Sequence, residues 1–159
     1  MPSILFVCTA NQFRSPLAAA CLRKSLAREH LAQRWKVESA GTWTKNGVDA
    51  AGITIQVAHA LGLEGLEGHR TRQVERELLE RFDLVVVMEK GHKEALCIEF
   101  PSVCRRLYLL SEIADRLPYD IPDPASTNID PIVVGQEIST LVEKGKENML
   151  RLAESLHRE

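Results

Sequence analysis

A chain of 159 residues, 45% apolar and carrying a formal charge of −2, has the material for one core, so a single domain spanning residues 1–159 is expected and a disordered chain is excluded. Acidic and basic residues are mixed along it, which leaves no basic stripe for nucleic acid, and the apolar runs Ile4–Val7 and Leu84–Met88 are far short of the roughly 20 residues of a membrane span. The first residues lack the pattern of a leader, and cysteines 8, 21, 97 and 104 lack zinc-like spacing, so a cytoplasmic protein with reduced thiols and no zinc site is expected, and no cofactor is called for.

The elements alternate in chain order. Ser3–Cys8 is an apolar run that ends in a polar loop, and apolar residues at Leu17, Ala20, Cys21, Leu26 and Leu31 then repeat at helical spacing. Ser15 stands where an N-cap belongs and Pro16 where the first helical residue belongs. A strand at Lys36–Ala40 is stopped by Gly41, and a helix at Asp49–Leu61 is stopped by Gly62. A helix at Gln73–Arg81, a strand at Leu84–Met88, a helix at His92–Ile98, a strand at Arg106–Leu110 and a long helix from Asp130 to His157 complete the series. Alternation of this kind predicts an α/β fold with a parallel sheet and helices on both faces. Ligands of such sheets bind beyond the carboxyl ends of the strands, so the loop after the first strand is the first candidate site.

That loop reads Cys8-Thr9-Ala10-Asn11-Gln12-Phe13-Arg14-Ser15-Pro16. Backbone N–H groups from Thr9 to Ser15 can curl around an oxyanion, the helix dipole adds positive charge, and the Arg14 guanidinium can grip two oxygens. Helix N-termini and nearby cations favour a thiolate, so Cys8 is expected to be a nucleophile, with Ser15 close enough to stabilise it as a leaving group. A Cys-x5-Arg spacing alone is common by chance, and a cysteine is often a small buried hydrophobe. Its placement between a strand and a Ser-Pro helix opening is what sharpens the reading. A phosphate ester also needs an acid for the departing oxygen and a base for water. Asp123, stiffened between Pro122 and Pro124 in a loop expected after the fourth strand and so at the same sheet edge as Cys8, fits both roles, although Asp120 and Asp130 share the same local chemistry.

Together these residues resemble the low-molecular-weight protein tyrosine phosphatases, whose signature Cys-x-Gly-Asn-x-x-Arg-Ser-Pro is matched by Cys8, Asn11, Arg14, Ser15 and Pro16. Ser39-Ala40-Gly41-Thr42, His69-Arg70-Thr71-Arg72, Asp83–Met88 and Asp123-Pro124 extend the match over nearly the whole chain. The resemblance implies a three-layer sandwich around a four-stranded parallel sheet, no metal, and phosphomonoester hydrolysis through a cysteinyl-phosphate. In that scheme Cys8 attacks, Arg14 holds the phosphoryl oxygens, and Asp123 serves as acid and then base. The phosphate lies in the loop Thr9–Ser15, with Asn11 holding its shape through Ser15, Ser39 and His69. A phosphorylated protein or peptide is the implied substrate. Nothing in the chain fixes an oligomeric state.

The departures from the pattern carry their own expectations. Ala10 replaces the family's loop glycine and would cost roughly 1 kcal/mol if that position needs positive φ. Phe13 replaces a second loop cysteine, so a protective disulfide with Cys8 is unavailable by that route and peroxide damage is expected to be hard to reverse. Ala125 replaces a substrate-stacking aromatic, for which Trp43 or Phe13 could substitute. Gln12 sits where relatives distinguish phosphotyrosine from phosphoarginine, which keeps an arginine phosphatase as an alternative. Cys97 and Cys104, seven residues apart, suggest a thiol-based arsenate reductase as a rival, and Ala10 with Ala125 a non-catalytic phosphate-binding module.

Overall fold

Three of the four strands, Ser3–Cys8, Leu84–Val87 and Leu107–Leu109, are apolar along nearly their whole length, as a sheet buried on both faces requires, whereas the edge strand Lys36–Gly41 mixes polar and apolar residues and is half-buried. The computed structural model describes residues 1–159. Its elements are β1 (Ser3–Cys8), α1 (Arg14–Arg28), β2 (Lys36–Gly41), α2 (Gly52–Ala60), α3 (Arg76–Glu80), β3 (Leu84–Val87), α4 (Lys90–Glu99), β4 (Leu107–Leu109), α5 (Leu110–Asp115) and α6 (Pro131–His157). The four strands are parallel in the order β2-β1-β3-β4. Alternate residues serve opposite layers. Ile4, Phe6, Leu84, Val86 and Met88 pack with α1, α2, α5 and α6, while Leu5, Val7, Val85, Val87, Leu107 and Leu109 pack with α3 and α4. The predicted three-layer architecture is therefore the one observed. No helix is long and apolar enough to cross a membrane.

Several boundaries differ from expectation, two because a longer-range bond captured the backbone and one because a local helix start did. The second helix begins at Gly52 rather than Asp49, because Thr71 N–H donates to Val48 C=O, Val48 N–H donates to Thr71 Oγ1, both at 2.8 Å, and Asp49 bridges to Arg70. The third begins at Arg76 rather than Gln73, since Val74 N–H donates to Gly41 C=O at 2.9 Å and Gln73 N–H to Asn46 Oδ1 at 2.8 Å. The expected strand Arg106–Leu110 shrinks to three residues because α5 starts at Leu110, with Glu112 accepting from Leu109 N–H at 2.7 Å. At six residues, α5 is too short to show a period, and it lies between β4 and the Asp123 loop.

Ser15 and two of the cysteines also depart from expectation. Ser15 is not an N-cap; the helix starts at Arg14, so Ser15 and Pro16 lie in its first turn, where a missing N–H costs nothing. The cysteines are not all reduced thiols. Cys97, on α4, is bonded to Cys104 in the short 3₁₀ segment Pro101–Arg106, leaving Cys8 and Cys21 free.

Candidate active site

The strand order reverses beside β1, with β2 reached on one side and β3 on the other, so the crevice at their carboxyl ends is open to a ligand. Cys8 is the last residue of β1, paired with Gly41 in β2. A Cβ on Gly41 would come within 2.6 Å of Thr9 C=O, so only glycine lets β2 run this close to the loop. Thr42 and Trp43 N–H then donate to Cys8 and Thr9 C=O, both at 2.9 Å, which fastens the loop's first residues to the neighbouring strand.

Asn11 holds the rest. It takes the left-handed conformation, φ 58°, which asparagine tolerates better than most residues, and Ala10 does not have positive φ. The expected penalty for alanine at position 10 is therefore absent. Asn11 Nδ2 donates to Ser15 Oγ at 2.8 Å and Ser39 Oγ at 2.9 Å, while its Oδ1 accepts from Arg72 N–H at 2.9 Å. Its carbonyl accepts from His69 Nε2–H at 2.7 Å. Burial holds His69 below the usual histidine range, consistent with this neutral tautomer. Ser15, Ser39 and His69 thus all bond Asn11. With Ser15 Oγ accepting from Asn11, its own proton points to Cys8 Sγ, 3.0 Å away, or Ala40 C=O, 3.3 Å away.

Arg14 is 2% exposed and held by contacts that local sequence patterns do not reveal. Its NH1 bonds Glu89 Oε2 at 2.6 Å and Ile121 C=O at 2.9 Å, and its NH2 reaches Thr9 Oγ1 at 3.4 Å. Glu89 was missed; the available signal was its place just beyond β3, at the same sheet edge as Cys8. His92 was missed too. Its Nδ1 accepts from Glu89 N–H at 3.1 Å, which puts the proton on Nε2 for donation to Thr9 Oγ1 at 2.8 Å.

That arrangement requires neutral His92. Burial lowers its pKa most, Glu89 opposes the shift and Arg14 adds to it. Because the folded pKa lies below the unfolded value of ~6.5, the unfolded chain takes the proton first, and stability present above that value is lost as pH falls. Thermal melts from pH 7 down to about 5 are expected to fall more steeply for the native chain than for His92→Gln; equal slopes would refute the assignment.

Asp123 is the one loop carboxylate turned toward Arg14, with Oδ2 3.6 Å from NH2. Its Oδ1 accepts from Ala125 N–H at 2.9 Å, which fixes the carboxylate plane. The other two candidates are occupied elsewhere: Asp120 accepts from Lys90 N–H at 2.8 Å, and Asp130 caps α6 through Ile132 N–H at 3.0 Å. Cys8, Arg14 and Asp123 share a cleft of about 160 Å³ whose walls include Phe13, Ile53, Pro124 and Pro131. Phe13 therefore supplies an aromatic wall, while Trp43, 84% exposed, is not part of it. The cleft is smaller than cavities elsewhere, and its chemistry rather than its volume singles it out.

No other thiol is poised to rescue Cys8 from oxidation. Cys97 and Cys104 are joined to each other, and burial pushes the Cys21 thiol up to about 11. Brief peroxide treatment is expected to abolish activity with little recovery in dithiothreitol; full recovery would reveal a resolving cysteine.

A strand-end sulfur backed by a hydroxyl, a buried guanidinium and a proline-braced carboxylate around one small cleft define a cysteine-based phosphatase. Comparison with known proteins agrees. The family model described as "Low molecular weight phosphotyrosine protein phosphatase" matches residues 3–159. The chain is 37% identical over 128 residues to the low molecular weight protein-tyrosine-phosphatase Wzb of Escherichia coli K12, covering 77% of each chain. It is 32% identical over 158 residues to a protein-arginine-phosphatase of Geobacillus stearothermophilus, covering 98% of this chain and 97% of the relative. The solved structure of the YwlE arginine phosphatase from Geobacillus stearothermophilus superposes with a TM-score of 0.82 at 30% identity, covering 95% and 94% of the two chains. This chain belongs to the low-molecular-weight protein tyrosine phosphatase family and is a hydrolase of phosphoric monoesters.

Proposed function

We propose that residues 1–159 act as one phosphatase domain that hydrolyses phosphotyrosine in proteins or peptides through a cysteinyl-phosphate on Cys8. The observation that carries this reading is the convergence of Cys8 Sγ, Arg14 and Asp123 on one cleft. Cys8 thiolate attacks phosphorus while Asp123 gives its proton to the leaving oxygen as the P–O bond breaks. Asp123 then takes a proton from water as water attacks phosphorus, the P–S bond breaks, and the Ser15 hydroxyl hydrogen-bonds the departing thiolate. Arg14 and the N–H groups of the loop Thr9–Ser15 hold the phosphoryl oxygens throughout. The setting we propose is the cytoplasm, where Cys8 stays reduced.

Tyrosine is favoured by the apolar walls Phe13, Ile53, Pro124 and Pro131, which suit an aryl group, and by Asp123 being the only carboxylate in the cleft. Phosphoarginine is the second reading, supported by the arginine phosphatase matched over nearly the full chain. Initial rates on matched phosphotyrosine and phosphoarginine peptides decide between them, and a clear arginine preference would overturn the first. In the same assay Asp123→Asn is expected to slow a poor leaving group about 10²-fold and a nitrophenyl ester far less, because general acid catalysis matters most where the leaving oxygen is basic. The reductase alternative is disfavoured: Cys97 packs against the core layer under α3 and α4, whereas Cys8 belongs to the layer on the opposite face of the sheet.

A further inference from the structure

A second cavity, of about 340 Å³, lies behind the catalytic loop between α1, β2 and the segment 65–72. Its lining includes Arg23, Arg70, Arg72 and His69, with Glu38 as its only carboxylate. Charge is therefore three guanidinium groups against one carboxylate even with His69 neutral. Two of the three are already paired: Arg72 NH1 with Glu38 at 3.4 Å, and Arg70 NH1 with Asp49, which lies outside the lining, at 2.9 Å. Arg23 has no carboxylate partner. Its Nε and NH2 both donate to Val37 C=O, at 3.0 and 2.5 Å, which anchors the side chain and leaves its remaining donors free. His69 contributes as well, because Nε2–H is committed to Asn11 C=O while Nδ1 has no protein partner. The lining also contains Ser39, so the cavity wall includes two of the side chains that hold Asn11.

We propose that this cavity is a second oxyanion site, separate from the catalytic loop, that takes phosphate or the phosphoryl group of a small phosphate monoester. The donors left over on Arg23, with the second guanidinium nitrogens of Arg70 and Arg72, are available to phosphoryl oxygens, and an anchored guanidinium loses little freedom when it binds. The volume lies at the low end of small-molecule sites, roughly 300–1,000 Å³, which suits a compact ligand. The site does not depend on the assignment of Cys8 as nucleophile.

The test follows backbone amides by NMR as full-length Cys8→Ser protein is titrated with inorganic phosphate and, separately, with glycerol 3-phosphate, neither of which this variant is expected to turn over. Amides of residues 23, 38–39 and 65–72 are expected to shift and saturate with a Kd different from that of residues 9–15. Tighter binding of glycerol 3-phosphate assigns the site to a phosphorylated small molecule, and binding of phosphate alone assigns it to the free ion. Arg23→Ala in the same background is expected to weaken the second set about tenfold, the loss expected from one charge-assisted hydrogen bond, and to leave the first set in place. Arg70→Gln is the second variant if Arg23→Ala lowers the melting temperature. Absence of saturable shifts at residues 65–72, or shifts that follow the Kd of residues 9–15 and ignore both substitutions, would overturn the proposal.

Discussion

Cys8→Ser is expected to cut hydrolysis of any phosphate monoester by on the order of 10⁴–10⁶, the scale seen when a covalent nucleophile is removed. A serine hydroxyl ionises far less readily than a thiol, and the loop holds no base aimed at position 8: the neighbouring Ser15 hydroxyl and the Asn11 amide are hydrogen-bond partners, not bases. The cradle itself survives the substitution. Its shape comes from Asn11, Ser39, His69 and the strand contacts of Thr42 and Trp43, none of which touches the sulfur. Phosphate affinity measured calorimetrically is thus expected to change by less than about tenfold while turnover disappears. A variant that keeps a substantial fraction of native turnover would remove Cys8 from the mechanism; one that loses both turnover and phosphate binding would show that the sulfur is structural.

Arg14→Lys is expected to lower kcat/KM for an aryl phosphate by about 10²–10³, or ~3–4 kcal/mol of transition-state stabilisation. Lysine keeps the charge but not the fork. Arg14 spreads its donors over Glu89, Ile121 C=O, Thr9 and the cleft beside Asp123, and one ammonium cannot serve those directions together. Paired with Glu89, a lysine would be drawn away from the phosphoryl oxygens; turned to the phosphate, it would strand a half-buried carboxylate. The loss should fall on kcat and kcat/KM alike, since Arg14 meets the charge that develops on the oxygens. A variant with raised KM and native kcat would show instead that Arg14 only binds the ground state.

The expected bounds of β1, β2, β3, α4 and α6 lie within two residues of the observed ones, and α1 opens two residues before Pro16. Of those that shifted, α2 and α3 lost residues to bonds from distant segments, as when Gly41 C=O takes Val74 N–H, and β4 lost residues to the start of α5. Phe13 illustrates the same limit at the site. Its aromatic character is plain in the chain, but only packing shows that it lines the cleft while Trp43 stands in solvent.

By itself the sequence determined the frame and supplied the reactive residue types on which the proposed chemistry rests. Cys8, Arg14, Ser15 and Asp123 are reagents by residue type, and alternating apolar runs already require a two-sided parallel sheet. Which of three similar aspartates faces Arg14, which acidic group holds that arginine, and which residue bears the left-handed turn were decided by tertiary structure. The physical reason is that a side chain's type is written locally, whereas its direction is fixed by partners tens of residues away: Glu89 is 75 positions from Arg14, and Arg72 is 61 from Asn11.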